Sequence, residues 1–249
     1  MNRENDDLES RRSKILKAIS RRNPDIATIV PTRTIESRRV DEIPSDVHVK
    51  DILFGKGKFG KREAWWNDFD PSANDNYAIQ WASANGHADV VQSLLSIKGK
   101  NAIDPRANNN AAIQLASANG HADVVKLLLA VEGERAVDPR ANNNHAIEMA
   151  SENGHADVVK LLLSVKGERA VDPRSIYNYP IILASMNGHA DVVKLLLAVD
   201  GPRAVDPRTR KNLPISNASA NGHKDVVKLL LAVRGERAVD PRDEFHRSL

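Results

Sequence analysis

The sequence predicts an all-α protein, a helical repeat solenoid built from five 34-residue helix-turn-helix units. Three observations predict it. Asn-Gly-His occurs at 85–87, 119–121, 153–155, 187–189 and 221–223, a step of 34 residues each time. Asp-Pro recurs in the same register, with its prolines at Pro71, Pro105, Pro139, Pro173, Pro207 and Pro241. Aromatic residues make up only 4% of the 249, few for a compact globular core. Residues 71–240 therefore divide into five units without insertion or deletion, and a period of this length is the mark of stacked repeats.

The second helix of a unit is the clearer one. In Ala156-Asp157-Val158-Val159-Lys160-Leu161-Leu162-Leu163, the residues Val158, Val159, Leu162 and Leu163 fall on one face of a 3.6-residue period. Asp157 suits the positive end of the helix dipole, and Gly167 follows the apolar run as a stop. The first helix is shorter, about nine residues, with Ile147 and Ala150 on one face. Asn recurs just before it at Asn76, Asn110, Asn144, Asn178 and Asn212, where an N-cap is expected. Asn-Gly ends this helix and turns the chain. Asp-Pro-Arg is turn chemistry, with Pro at the first central position. Neither helix can bury its face alone, so the units must stack.

Outside the array the sequence reads differently. Residues 1–50 are polar and without repeat, which predicts a disordered extension carrying a short basic helix at 8–22, where six basic residues meet one acidic. Residues 51–70 hold half of the aromatics, Phe54, Phe59, Trp65, Trp66 and Phe69, and predict a segment that caps the exposed end of the array. Within it Gly55-Lys56-Gly57-Lys58-Phe59-Gly60-Lys61-Arg62 approaches a phosphate-binding loop. Arg62 stands where Ser or Thr must hold magnesium, so a basic connector is expected. Residues 241–249 form a tail. With no cysteine, disulfides, thiol nucleophiles and Cys-based zinc sites are excluded, and a reducing, intracellular setting fits. No apolar run reaches the about 18 residues of a membrane span, and the N-terminus lacks a secretory leader. The net charge of +3 is too small to call for nucleic acid.

Gly154-His155-Ala156-Asp157-Val158-Val159-Lys160-Leu161-Leu162-Leu163 and its four copies resemble the ankyrin repeat, a unit of a β-turn finger and two helices. The resemblance covers residues 71–240. The family's Thr-Pro-Leu-His is absent; the chain has Tyr77-Ala78-Ile79-Gln80 and His145-Ala146-Ile147-Glu148 instead. The usual finger glycine is also missing, with Asp75, Asn109, Asn143, Tyr177 and Lys211 in its place. The Asp-Pro-x-x-Asn-x-x-Ala-Ile wording resembles arrays encoded by large DNA viruses of protists and by protists. The resemblance implies an ankyrin-type solenoid with β-turn fingers and a non-catalytic scaffold or adaptor. It also implies a monomer that binds a partner protein inside the cell, in the host cytoplasm if the chain is viral, without cofactor.

Candidate sites weigh the same way. The five histidines of Asn-Gly-His cannot share a metal, because stacked helices lie about 8–10 Å apart and zinc needs nitrogens about 2 Å away. Turn residues held by hydrogen bonds are expected. The arginine rows (Arg106, Arg140, Arg174, Arg208, Arg242, and Arg135, Arg169, Arg203, Arg237) could hold phosphates, and nucleic-acid or acidic-surface binding is the alternative reading. Each Asp-Pro-Arg carries its own acid, however, and residues 71–249 have 21 basic and 20 acidic side chains. Positions that vary between units are free for recognition. They are Tyr77 and Gln80; His145, Glu148 and Glu152; Ile176, Tyr177, Tyr179, Ile182 and Met186; Arg210 and Lys211. Ser175-Ile176-Tyr177-Asn178-Tyr179 stands out among its Asn-rich neighbours as a partner-binding candidate. At the far end, Asn217 replaces the apolar Trp81, Leu115, Met149 and Leu183, which suits a last unit facing water.

Overall fold

The computed structural model describes residues 72–99 and 102–240. The expectations for 1–50, 8–22, 51–70 and 241–249 lie outside these residues. The described residues fall into two compact units, one holding 72–78 with 92–99 and 102–103, the other 79–91 with 104–240. The first contains, among its described residues, the beginning of α1 (Ala73–Ala84) and the end of α2 (Ala88–Leu95), with Leu94 and Ile103 fully buried.

The second unit holds the remainder of those helices and four further pairs. They are α3 (Ala107–Ala118) with α4 (Ala122–Leu129), α5 (Ala141–Glu152) with α6 (Ala156–Ser164), α7 (Ser175–Met186) with α8 (Ala190–Leu197), and α9 (Thr209–Ala220) with α10 (Lys224–Leu231). Among the described residues the regular structure is all helical, short 3-10 turns such as Gly133–Arg135 following the second helices. Odd-numbered helices from α3 to α9 pack on one another in series, even-numbered helices from α4 to α10 do the same, and each pair packs internally.

The core follows the apolar spacing. Val124, Val125 and Leu128, and their counterparts Val158, Val159, Leu162 and Val192, Val193, Leu196, are fully buried. Against them lie Ile113, Ile147 and Ile181 of the first helices. Small residues at Ala116, Ala150 and Ala184 allow the first helices to approach one another, and Val137, Val171 and Val205 fill the space beside the turns. Truncating one of the leucines to Ala would cost about 2–5 kcal/mol.

The starts of the first helices depart from expectation. Three consecutive residues near the start of each of α3, α5, α7 and α9 are left-handed: in α3, Asn108, Asn109 and Asn110 have φ of 52°, 56° and 62°. The same holds for Asn142–Asn144, Ile176–Asn178 and Arg210–Asn212. The right-handed helix begins only afterwards, at about Ala111 in α3. This places Pro180 and Pro214 in its first turn, where the missing N–H is no loss. The left-handed region opposes L-side chains except Asn and Asp, which explains the Asn-Asn-Asn triplets.

The N-cap expectation for Asn110, Asn144 and Asn178 is corrected as well. These residues are left-handed, and their side chains serve the next unit. Oδ1 of Asn110 accepts from the Asp138 N–H at 2.8 Å, Asn144 from Asp172 at 2.9 Å, and Asn178 from Asp206 at 3.1 Å. Asn212 instead donates through Nδ2 to the Asp240 carbonyl at 3.4 Å. The physical reason is that a cap bonds within its own first turn, whereas the left-handed triplet aims the amide across to the neighbouring turn.

Candidate functional site

Each of the four later fingers begins with a type I turn. The Ala141 N–H donates to the Asp138 carbonyl, with Arg140 at φ −87°, ψ −6° in the second central position. Asp138 locks the turn twice over. Its Oδ1 accepts from the Arg140 N–H and Nε at 2.9 Å each, and its Oδ2 accepts from Nη2 at 3.0 Å. The pattern repeats at Asp104–Arg106, Asp172–Arg174 and Asp206–Arg208. Hydrogen bonding to Arg, the largest cause, holds all four aspartates below the ordinary carboxylate range. The other row turns inward: Arg169, Arg203 and Arg237 donate through Nη1 to the carbonyls of Val137, Val171 and Val205 in the preceding units. These members of both rows are thus engaged with the array itself, while Arg242 lies outside the described residues.

The histidines join units. Nε2 of His121, His155, His189 and His223 donates to the carbonyls of Ala84, Ala118, Glu152 and Met186, at 2.8–3.0 Å. These carbonyls end the preceding first helix, where no intrahelical partner exists. They also accept from Nδ2 of Asn119, Asn153, Asn187 and Asn221. Each His ring lies over the glycine of the preceding unit. A β-carbon placed on Gly154 would be 2.5 Å from Nδ1 of His189. The histidines are turn residues with hydrogen-bond partners, and among the described residues no group of three His, Asp or Glu is placed to hold a metal.

The candidate recognition residues separate into two sets. Gln80, Glu148 and Ile182 are buried, not exposed as expected, and at Gln80 the next finger reaches over the position. Nδ2 of Asn108 donates to Gln80 Oε1 at 3.1 Å, and Asn142 does the same to Gln114. Tyr77 is exposed; His145, Glu152, Tyr179 and Met186 are half-buried, and His145 Nδ1 lies 3.7 Å from Glu148 Oε2. Ile176, Arg210 and Lys211 are exposed, and Tyr177 is 72% exposed. The Arg210 guanidinium lies 5.4 Å from the centroid of the Tyr177 ring, so the fourth and fifth fingers meet in a cation–π contact. Thr209 Oγ1 supports it by donating to the Tyr177 carbonyl at 2.7 Å. Thr209 did not emerge from the sequence; its one signal is that Ala107, Ala141 and Ser175 hold that register. Asn217 is half-exposed and so is Met149, and Leu115 is 38% exposed, whereas Trp81 and Leu183 are buried, so water-facing at this position is not confined to the last unit.

The profile of ankyrin repeats (3 copies) matches residues 76–174 and 147–242. The chain belongs to the ankyrin-repeat family. No curated protein matches it. Ankyrin repeats generally mediate protein–protein interaction, and their domains are typically non-catalytic scaffolds. No helix among the described residues is long and apolar enough to cross a membrane.

Proposed function

We propose that this ankyrin array is a scaffold or adaptor that acts as a monomer inside the cell and binds a partner protein through its fingers and the exposed sides of its first helices. The observation that carries the reading is Tyr177, 72% exposed and held at φ 61° at a finger position where the two preceding units have Asn109 and Asn143. Exposed aromatic side chains with little freedom left to lose are the usual anchors of protein interfaces. Tyr179, Ile176 and Met186 extend the candidate surface within the fourth repeat, with His145, Glu152, Arg210 and Lys211 as its polar members; Tyr77 is an exposed candidate in the other unit.

The nucleic-acid alternative is disfavoured by the arginine rows, whose forks are occupied by aspartates and backbone carbonyls. The test uses full-length protein as bait in its native cell extract, with nuclease, beside Tyr177→Ala plus Tyr179→Ala. A stoichiometric protein partner that is lost in the double variant, at unchanged melting temperature, is the expected result. Equal recovery by both baits would sink the reading.

A further inference from the structure

The partner's chemistry follows from the contrast between the last two fingers and the earlier ones. The described fingers of the first three units offer Asp75-Asn76, Asn108–Asn110 and Asn142–Asn144, which are amides and one acid. The fourth and fifth offer Ile176-Tyr177 and Arg210-Lys211, in the same left-handed conformation. That conformation disfavours all four residue types, most of all the β-branched Ile176. The neighbouring triplets show that Asn makes the same turn without this strain. Residues carried against the backbone's preference mark a site where the side chain itself is used.

The arginines sharpen the point. Arg106, Arg140, Arg174 and Arg208 are pinned to their own aspartates, and Arg169, Arg203 and Arg237 donate to carbonyls. Among the described residues no salt bridge engages Arg210 or Lys211. Arg210 lies over the face of Tyr177, a contact that leaves the edge of its guanidinium fork able to donate two parallel hydrogen bonds. Two uncompensated cations therefore stand beside two exposed apolar side chains.

Resting on the protein-recognition reading above, we infer that the partner presents an acidic segment with an apolar anchor. The anchor seats against Ile176 and Tyr177, and the carboxylates pair with Arg210 and Lys211. Nucleic acid fits less well, since two cations give little purchase on a phosphate backbone, whose binding draws on many.

A displayed random peptide library panned against the full chain tests this. The expected winners place Asp or Glu beside an aromatic or aliphatic residue. Their synthetic versions should bind roughly tenfold more weakly to Arg210→Asn plus Lys211→Asn. That variant rebuilds the third unit's turn, so loss of folding is not at issue. Charge reversal, Arg210→Glu plus Lys211→Glu, should select basic peptides instead. Winners with no acidic bias, or binding indifferent to the Asn variant, overturn the inference. If such neutral winners are still lost on Tyr177→Ala plus Tyr179→Ala, the recognition face stands and only its charge preference falls. Winners insensitive to every finger substitution count against both. A fluorescent oligouridylate that displaces the peptides from wild type, and fails to bind the charge-reversed protein, would replace the acidic peptide with a nucleic acid.

Discussion

Ile176 shows how one residue can set recognition against stability. Its counterparts Asn108 and Asn142 donate to Gln80 and Gln114, 28 residues earlier. In the same register Ile176 stands 28 residues after Glu148, which is 9% exposed. Ile176→Asn would relieve a β-branched left-handed residue and offer Glu148 an amide donor. It is expected to stabilise the array by about 1 kcal/mol and raise its melting temperature by a few degrees, while weakening the partner. A melting temperature that falls would show that apolar contacts of Ile176 outweigh its strain. The buried serines make a second test at this scale. The hydroxyls of Ser117, Ser151 and Ser185 are buried without a protein partner. Ser151→Ala should cost nothing or stabilise by up to about 1 kcal/mol in urea denaturation. A loss of that size would mean the hydroxyl is satisfied after all.

At the scale of the element, the informative unit is the joint between helix pairs. Gly154 and Gly222 share left-handed backbones, with φ of 77° and 76°. Only Gly154 has a histidine over it; around Gly222 a β-carbon would meet nothing within 4 Å. Alanine at either site meets the backbone penalty of about 1–2 kcal/mol. At Gly154 it must also displace His189 from the Glu152 carbonyl, adding about 1–3 kcal/mol. Equal losses in a denaturation experiment on the two variants would dismiss the joint as a source of stability. This joint also marks the limit of what the sequence discloses. The second helices were legible because Val158, Val159 and Leu162 encode their own burial in a local period. The Asp-Pro-Arg turn was legible because proline and aspartate act within three residues. The Asn triplets were not, because their conformation is left-handed and their amides bond to a turn one unit away. Burial of Gln80 was hidden for the same reason: the finger that reaches over it belongs to the next repeat. For the candidate site, the sequence disclosed Ile176 and Tyr177 through their departure from Asn, and Arg210 and Lys211 through theirs. It did not disclose the contact between Tyr177 and Arg210, which needs two units side by side.

Across the whole molecule, repetition multiplies small local terms, since the stability of stacked repeats is close to a sum over units and joints. The four Asp-Arg turns are the clearest case. Asp104, Asp138, Asp172 and Asp206 each sit below the ordinary carboxyl value of 3.8, because an arginine fork and a backbone N–H bind the charged form. A carboxyl held lower in the folded state than in the unfolded one binds fewer protons when folded. Its stabilisation is complete above the unfolded value and disappears as pH falls through the folded one. Each pair is more than a third exposed, so solvent screens it and a single pair contributes little. Four in register should still give an acid-labile array, steady near neutrality and weakening below about pH 4. Asn at these positions keeps an oxygen for the Arg N–H while removing the charge. The variant carrying Asp138→Asn and Asp172→Asn should therefore be less stable than wild type near neutral pH, and should lose less on acidification. Urea midpoints measured from about pH 7 down to about pH 2.5 would show the two curves converging. Parallel curves would place the acid sensitivity elsewhere in the chain and reduce the Asp-Arg forks to turn geometry alone.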